Sequence, residues 1–320
     1  MTSTSVTSSL KRAATGVGAS GRGASQPLRP RRRRSRGALT LVLLVAPSVF
    51  LLLLINAYPV IYAGFQSVHN GSLIATGDFV GLSNFTDVLQ APTFWKAAGF
   101  TLVFTVVGVF GSWIIGLGLA LLLRSKVPAA GTFKVLLLLP WIIPVVVSTT
   151  AWNYLVATPD SPVPAVFEAL GWGTPLFLAD PTLAAVMVCV FKVWVSFPFM
   201  MLMTSASLAA VDENVYEASG MDGASKWQQF RLMTLPLIAR STYISWILMT
   251  IFCVNDFPSI YLLTGGGPVD ATTSLVVLAY RRVFQDFQTG PGVAIAFLMT
   301  ITLVIVSVVL YRQIRKSAIE

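Results

Sequence analysis

Residues 213–237 read ENVYEASGMDGASKWQQFRLMTLPL. This is the longest polar interruption between apolar runs, yet it is filled with helix formers and broken only by Gly220 and Gly223. The pattern predicts two short helices, over 214–221 and 224–233, with a bend at Asp222-Gly223, where glycine allows the positive φ of such a bend. Pro236 is expected to end the segment, because proline cannot donate the next helical hydrogen bond. Trp227, Phe230, Leu232 and Met233 put large apolar groups on a segment expected in water. Such anchors point to docking in a groove on another protein; an amphipathic linker without a partner is the alternative.

What surrounds this stretch is apolar. The 320 residues are 55% hydrophobic and 11% charged, with mean hydropathy +0.76, whereas a soluble domain carries about 25% charge. A bilayer-crossing helix needs about 20 apolar residues. Six runs meet this, at 39–62, 99–123, 134–156, 183–208, 239–262 and 291–311, so an all-α membrane protein with six transmembrane helices is expected. In the second run, Gly108, Gly111, Ser112, Gly116 and Gly118 cluster on the helix surface, which suits close helix packing in lipid.

Composition also excludes functions. The net charge of +9 comes from clustered residues, so no nucleic-acid partner is expected. Cys189 and Cys253 fall in apolar runs and read as free thiols. His69 is the sole histidine, which leaves little material for metal binding or histidine catalysis. No phosphate-binding Gly-Lys-Ser/Thr loop occurs, so any ATP must be bound and hydrolysed by another chain; Gly265–Pro268 reads as a turn.

Residues 1–38 are rich in Ser, Gly, Ala and Arg and read as a disordered basic tail, leaving 39–316 as the membrane domain. The arginines at 29, 31–34 and 36 either meet anionic headgroups or serve as a topology signal. A cleaved signal peptide is not expected, because the first apolar run is too long. With the N-terminus inside, all but Lys96, Lys192, Arg281 and Arg282 of the 22 basic residues lie on the cytoplasmic side. The rule that cytoplasmic loops are basic therefore places both termini and residues 213–237 in the cytoplasm. Of the outer loops, GLSNFTDVL and TFWKAAGF, within 63–98, read as short interfacial helices, and 157–182 is rich in Pro, Gly and Asp.

The fourth run carries Lys192 at membrane depth, where a charge is costly and seldom faces lipid. Lys192, Val195, Ser196, Phe199 and Met203 share one helical face, and Pro198 frees a carbonyl near it. In the fifth run Met249, Phe252, Cys253 and Asp256 recur at the same period, with Asn255 beside them. Lys192 and Asp256 are offset by roughly 6 Å along the spans, within reach of a lysine stem. They form a pair, direct or bridged, or stand as two separately solvated groups in an outward cavity. The two faces together offer the carboxylate, amide and aromatic groups that a sugar requires; plain helix packing is the other reading of the same residues.

The spacing Glu217-Ala218-Ser219, three residues, Gly223, nine residues, Met233-Thr234-Leu235-Pro236 resembles the EAA loop of bacterial ABC importer permeases, with Ser219 and Met233 as mild departures. The flanks DGAS-W-x-x-F and TLPLI are similar to the carbohydrate branch, the relatives of the maltose transporter's larger membrane subunit. The resemblance covers about 40–312. It implies the type I importer permease fold in a cell inner or plasma membrane, with a second homologous permease, two copies of a cytoplasmic ATPase that binds ATP and Mg, and an extracytoplasmic solute-binding protein. No cofactor would lie on this chain. It assigns ATPase coupling to Glu217, Ala218, Asp222, Gly223, Ala224, Trp227, Phe230 and Pro236, with Glu217 fixing the first helix through polar contacts. Trp194-Val195-Ser196-Phe197-Pro198-Phe199 and Asn255-Asp256-Phe257 match the family's sugar-site text. This implies contacts from Val195, Ser196, Phe199, Met249, Phe252 and Cys253. Ser196 replaces a glycine and Cys253 an asparagine, so the particular sugar stays open: disaccharide, amino sugar or glycerol-phosphate ester. A stand-alone secondary transporter or channel would need an ion-coupling site and often an internal repeat. A membrane enzyme would need a nucleophile or carboxylate cluster.

Overall fold

The computed structural model describes residues 35–124 and 129–316; the basic tail expected over 1–38 lies almost wholly outside them. The chain divides into two units, Met1–Ala57 and Tyr58–Glu320. Helix α1, Ser35–Ser67, crosses that boundary. Within the first unit its apolar side chains stand exposed on every side, Leu44 at 70% and Ile55 at 66%, as in a helix made for lipid or another chain.

In the second unit a small hairpin follows, β1 His69–Gly71 and β2 Thr76–Phe79, which the sequence reading missed. Next come α2 Ser83–Gln90, α3 Pro92–Arg124, α4 Ala130–Ile142, α5 Val145–Val156, α6 Pro162–Ala169 and α7 Pro181–Ala209. They are followed by α8 Glu213–Met221, α9 Lys226–Gln229, a π-turn over Phe230–Thr234, α10 Leu235–Val254, α11 Phe257–Thr264, α12 Leu275–Phe284 and α13 Thr289–Lys316. Among the described residues five helical stretches are long and apolar enough to cross a bilayer; the bent pair α4 and α5, if counted as one span, brings the number to six.

Three expectations are corrected. The third span, 134–156, is not one helix: α4 and α5 meet at 90°. Pro144 lacks a donor and holds the residue before it out of the helical region, and Ile143 has ψ 132°. The fifth span ends at Val254, not 262, and Asp256 starts α11 with its side chain accepting from Ser259 N–H. The stretch 93–100 is the opening of α3, not a separate interfacial helix. The first of that pair does form, as α2.

The core is the packing of α3 on α7, with α10 beside them. Small residues make the approach close, as the glycine cluster predicts. A Cβ on Gly116 would meet the Met201 backbone nitrogen at 2.6 Å, and one on Gly111 would meet Val193 at 2.7 Å. Gly118 differs, with nothing within 4 Å. Helix α7 starts where Asp180 accepts from the amides of Thr182 and Leu183, an N-cap followed by proline at the first turn. The 265–268 segment turns as expected, with Gly265 and Gly266 at positive φ.

Candidate functional site

Two sites emerge, one at the broken helices beside α7 and one around α8 and α9. The first is a cavity of about 460 Å³ where the two broken helices meet. Ile142–Val145, the α4–α5 corner, forms one wall; Phe252, Asn255, Asp256, Pro258 and Ser259, around the α10–α11 break, form another. Lys192, Val195 and Ser196 of α7 form the third. Broken helices bring backbone and polar groups to membrane depth only where they line a cavity or lie inside protein.

Lys192 Nζ donates to Asp256 Oδ2 at 2.6 Å, and the side chains are 6% and 7% exposed. The second carboxylate oxygen, Oδ1, accepts from Ser259 N–H at 3.1 Å. One residue thus neutralises the buried cation and caps α11. The pairing reading of the sequence holds, and separate solvation of the two groups does not. Lys192 sits against the Gly108 backbone of α3, where a Cβ would meet its Cγ at 3.1 Å.

Ser196 is fully buried, and its Oγ has no hydrogen-bond partner among the described residues. Asn255 lines the cavity, and its side-chain amide donates to Ile251 O at 2.9 Å. Phe199 lies beside the cavity, its ring 5.3 Å from Trp141 and 5.7 Å from Phe252.

Two expected contacts fall elsewhere. Met249 and Cys253 are 0% and 1% exposed and belong to the core of α3, α7 and α10; the Cys253 sulfur would lie 2.8 Å from a Cβ on Gly108. They occupy the stripe of α10 that packs on α3, one residue's rotation from Phe252. Because α10 ends at Val254, that stripe does not continue to Asp256. Trp141 was missed. Its signal is a tryptophan framed by Pro140 and Pro144, which marks a broken helix with an aromatic at the corner.

The second site is the 213–237 segment, where ATPase coupling is expected. Asp212 caps α8 by accepting from Asn214 N–H at 3.0 Å. Its end is a Schellman motif: Ala224 N–H donates to Ser219 O at 3.0 Å and Gly223 N–H to Gly220 O at 3.1 Å. Gly223, at φ +82°, takes the left-handed position that this motif gives to glycine. Ser225 then opens α9 with a capping box to Gln228.

Pro236 does not end the helix: Lys226–Val254 runs continuously. A π-turn precedes it, with Leu235 N–H reaching Phe230 O. Widening the turn eases the contact between the proline ring and the carbonyl four residues back.

Glu217, Ala218, Asp222 and Gly223 are exposed, Ala224 is half-buried, and Trp227 is 67% exposed. Phe230 instead turns inward, against the α3–α7–α10 core. Glu217 makes no side-chain hydrogen bond or ion pair within the described residues. The contacts that hold α8 come from Tyr216, Ser219 and Gln229, with Arg124 of α3 stacked 4.4 Å over the Tyr216 ring. A groove of about 720 Å³ runs between Arg124, Glu213, Glu217, Trp227 and Phe230.

A model of binding-protein-dependent transport system inner membrane components matches residues 28–319. The chain belongs to that family. This permease is 32% identical to the trehalose/maltose transport system permease protein MalF of Thermococcus litoralis over 274 residues, 85% of this chain and 92% of that one. It is 32% identical to the sulfoquinovosyl glycerol transport system permease protein SmoG of Agrobacterium fabrum, over 87% and 91%. Its fold matches a bacterial ABC transporter that imports alginate with TM-score 0.76 at 18% identity, covering 88% and 96%. The permease is therefore a membrane component of an ABC importer, and ATP hydrolysis belongs to a separate subunit. The stand-alone carrier and the membrane enzyme are set aside.

Proposed function

We propose that this permease forms half of the translocation pathway of an ATP-driven importer for an uncharged di- or oligosaccharide. A second, homologous permease supplies the other half. Two copies of a cytoplasmic ATPase, which hold the ATP and Mg, engage the two coupling segments; this chain holds no cofactor. An extracytoplasmic binding protein delivers the sugar at the opposite face. Both termini and α8 lie in the cytoplasm, as the basic-inside pattern requires. ATP closes the ATPases, the coupling helices move with them, and the cavity changes the side to which it opens.

The observation that carries the solute class is the closed charge at the cavity. Lys192 is neutralised by Asp256 at 2.6 Å, so among the described residues lining the cavity no free cation awaits a phosphate or sulfonate. What remains is an unpartnered hydroxyl at Ser196, the side-chain amide of Asn255, and the rings of Trp141 and Phe252. That set suits hydroxyls and apolar sugar faces. A relative named for trehalose/maltose transport supports the neutral sugar. A relative named for sulfoquinovosyl glycerol transport supports an anionic one; the closed ion pair favours the neutral reading.

The test is purification of the tagged chain from its own membranes with whatever it retains, followed by reconstitution into vesicles with the binding protein. ATP-dependent uptake of radiolabelled trehalose or maltose, unaffected by excess glycerol 3-phosphate, is expected. Uptake blocked by glycerol 3-phosphate alone rejects the neutral sugar. Recovery without any ATPase rejects the coupling role.

A further inference from the structure

A lever works only if its joint is stiffer than its load. The joint here is the bend between α8 and α9, and side-chain packing at the bend itself does little to hold it. Gly223 is exposed, and a Cβ built on it meets nothing within 4 Å. Helix α8 is nine residues long, with Val215 36% and Met221 85% exposed, so apolar burial does little to hold it.

A buried polar network bypasses the bend. Gln229 is 5% exposed, and its Nε2 donates to Ser219 Oγ at 2.9 Å and to Tyr216 O at 3.2 Å. Its Oε1 accepts from Lys226 Nζ at 3.3 Å. Ser219 Oγ in turn donates to Tyr216 O at 2.9 Å. On the other side, the Tyr216 and Thr234 hydroxyls lie 3.2 Å apart, and Thr234 Oγ1 donates to Gln229 O at 3.2 Å, inside the π-turn. Ser219 and Thr234 are 2% and 4% exposed. Away from water such bonds are strong, and breaking one strands its partner.

We propose that Gln229 is a positioning residue for coupling: with Ser219, Tyr216 and Thr234 it locks α8 to the head of α10, so that the exposed helix and the membrane span move as one body. The π-turn is part of the device. It sets Thr234 under Tyr216 and presents the Gln229 carbonyl to it. This rests on the importer reading, in which α8 meets the ATPase.

The experiment uses the full complex with its ATPase in vesicles. Spin labels are placed at Asn214 in α8 and Leu237 in α10, both exposed, while the two native cysteines, both buried, stay in place. Distances are read with and without ATP and vanadate. One narrow distance, unmoved by nucleotide, is expected for the unaltered chain. Gln229→Met and Thr234→Val keep shape and remove hydrogen bonds. Each is expected to give a distribution about twice as wide, with ATPase retention and hydrolysis unchanged. A label distance that shifts with ATP in the unaltered chain, or variants as narrow as the parent, overturns the proposal. Loss of the ATPase together with protein yield in both variants also overturns it, since that is the mark of a merely structural role. Recovery of the unaltered chain with no ATPase overturns the importer reading beneath it, a result visible before any label is read.

Discussion

Lys192 and Asp256, 64 residues apart in sequence, meet at 2.6 Å inside the protein, and the same aspartate caps α11 through Ser259. The cavity between the broken helices and the start of α11 therefore share one side chain.

Removing either charge should cost more than removing both. A buried pair that loses one partner leaves an uncompensated charge, worth about 3–5 kcal/mol. Asp256→Asn keeps a good cap for α11 while deleting the charge, and Lys192→Met deletes the other. Each single variant should lower the thermal midpoint in detergent and abolish uptake, and the double variant should regain most of the stability. Strictly additive losses would show that the two groups are not energetically coupled.

Gly223→Ala places a side chain at φ +82°, at a cost of roughly 1–2 kcal/mol, and should weaken transport partially. Gly223→Pro is incompatible, because proline holds φ near −65° and removes the N–H that reaches Gly220 O. Membrane insertion should survive while hydrolysis and uptake come apart. Normal solute uptake by Gly223→Pro would remove the bend from the mechanism.

Trp227 and Phe230 sit three residues apart with opposite fates. Trp227→Ala deletes an exposed side chain, so the isolated permease should keep its stability within about 0.5 kcal/mol. Its hold on the ATPase should weaken by about 2 kcal/mol, roughly 30-fold. Phe230→Ala should destabilise the permease itself, because that ring packs against the helix core. Pull-down titrations and thermal melts on the same preparations separate the two.

Gly116 and Gly118 should respond with opposite sign. A methyl on Gly116 meets the Met201 backbone nitrogen at 2.6 Å, so alanine there pushes α3 from α7 and should cost about 1–3 kcal/mol. Gly118 faces open space, and alanine there should stabilise the helix by about 0.5–1 kcal/mol. Equal effects in a detergent melt would contradict the packing.

The coupling segment was largely legible because its signals are local. The helix formers on either side and the glycine at the left-handed position each act within a few residues. Pro236 misled because a π-turn can absorb a proline that a regular helix cannot, and no neighbouring residue announces such a turn. Glu217 was expected to fix α8, but Gln229 does so, from ten residues beyond Ser219. Among the cavity residues, Lys192 and Ser196 followed from helical period and membrane depth. Met249 and Cys253, carried over from the family resemblance, instead sit on the stripe of α10 that packs into the core, which only the packing of α10 could reveal.

Sequence alone determined that the chain is built of apolar spans, that it bends at Gly223 and that two charges fall within apolar runs, because lipid penalises each exposed polar group and hydropathy records that penalty residue by residue. Tertiary structure decided that the charges meet, that Trp141 joins them at the α4–α5 corner, and which stripe of α10 is core. Those outcomes depend on where helices break and how closely glycines let them approach, and both are settled by packing between segments distant along the chain.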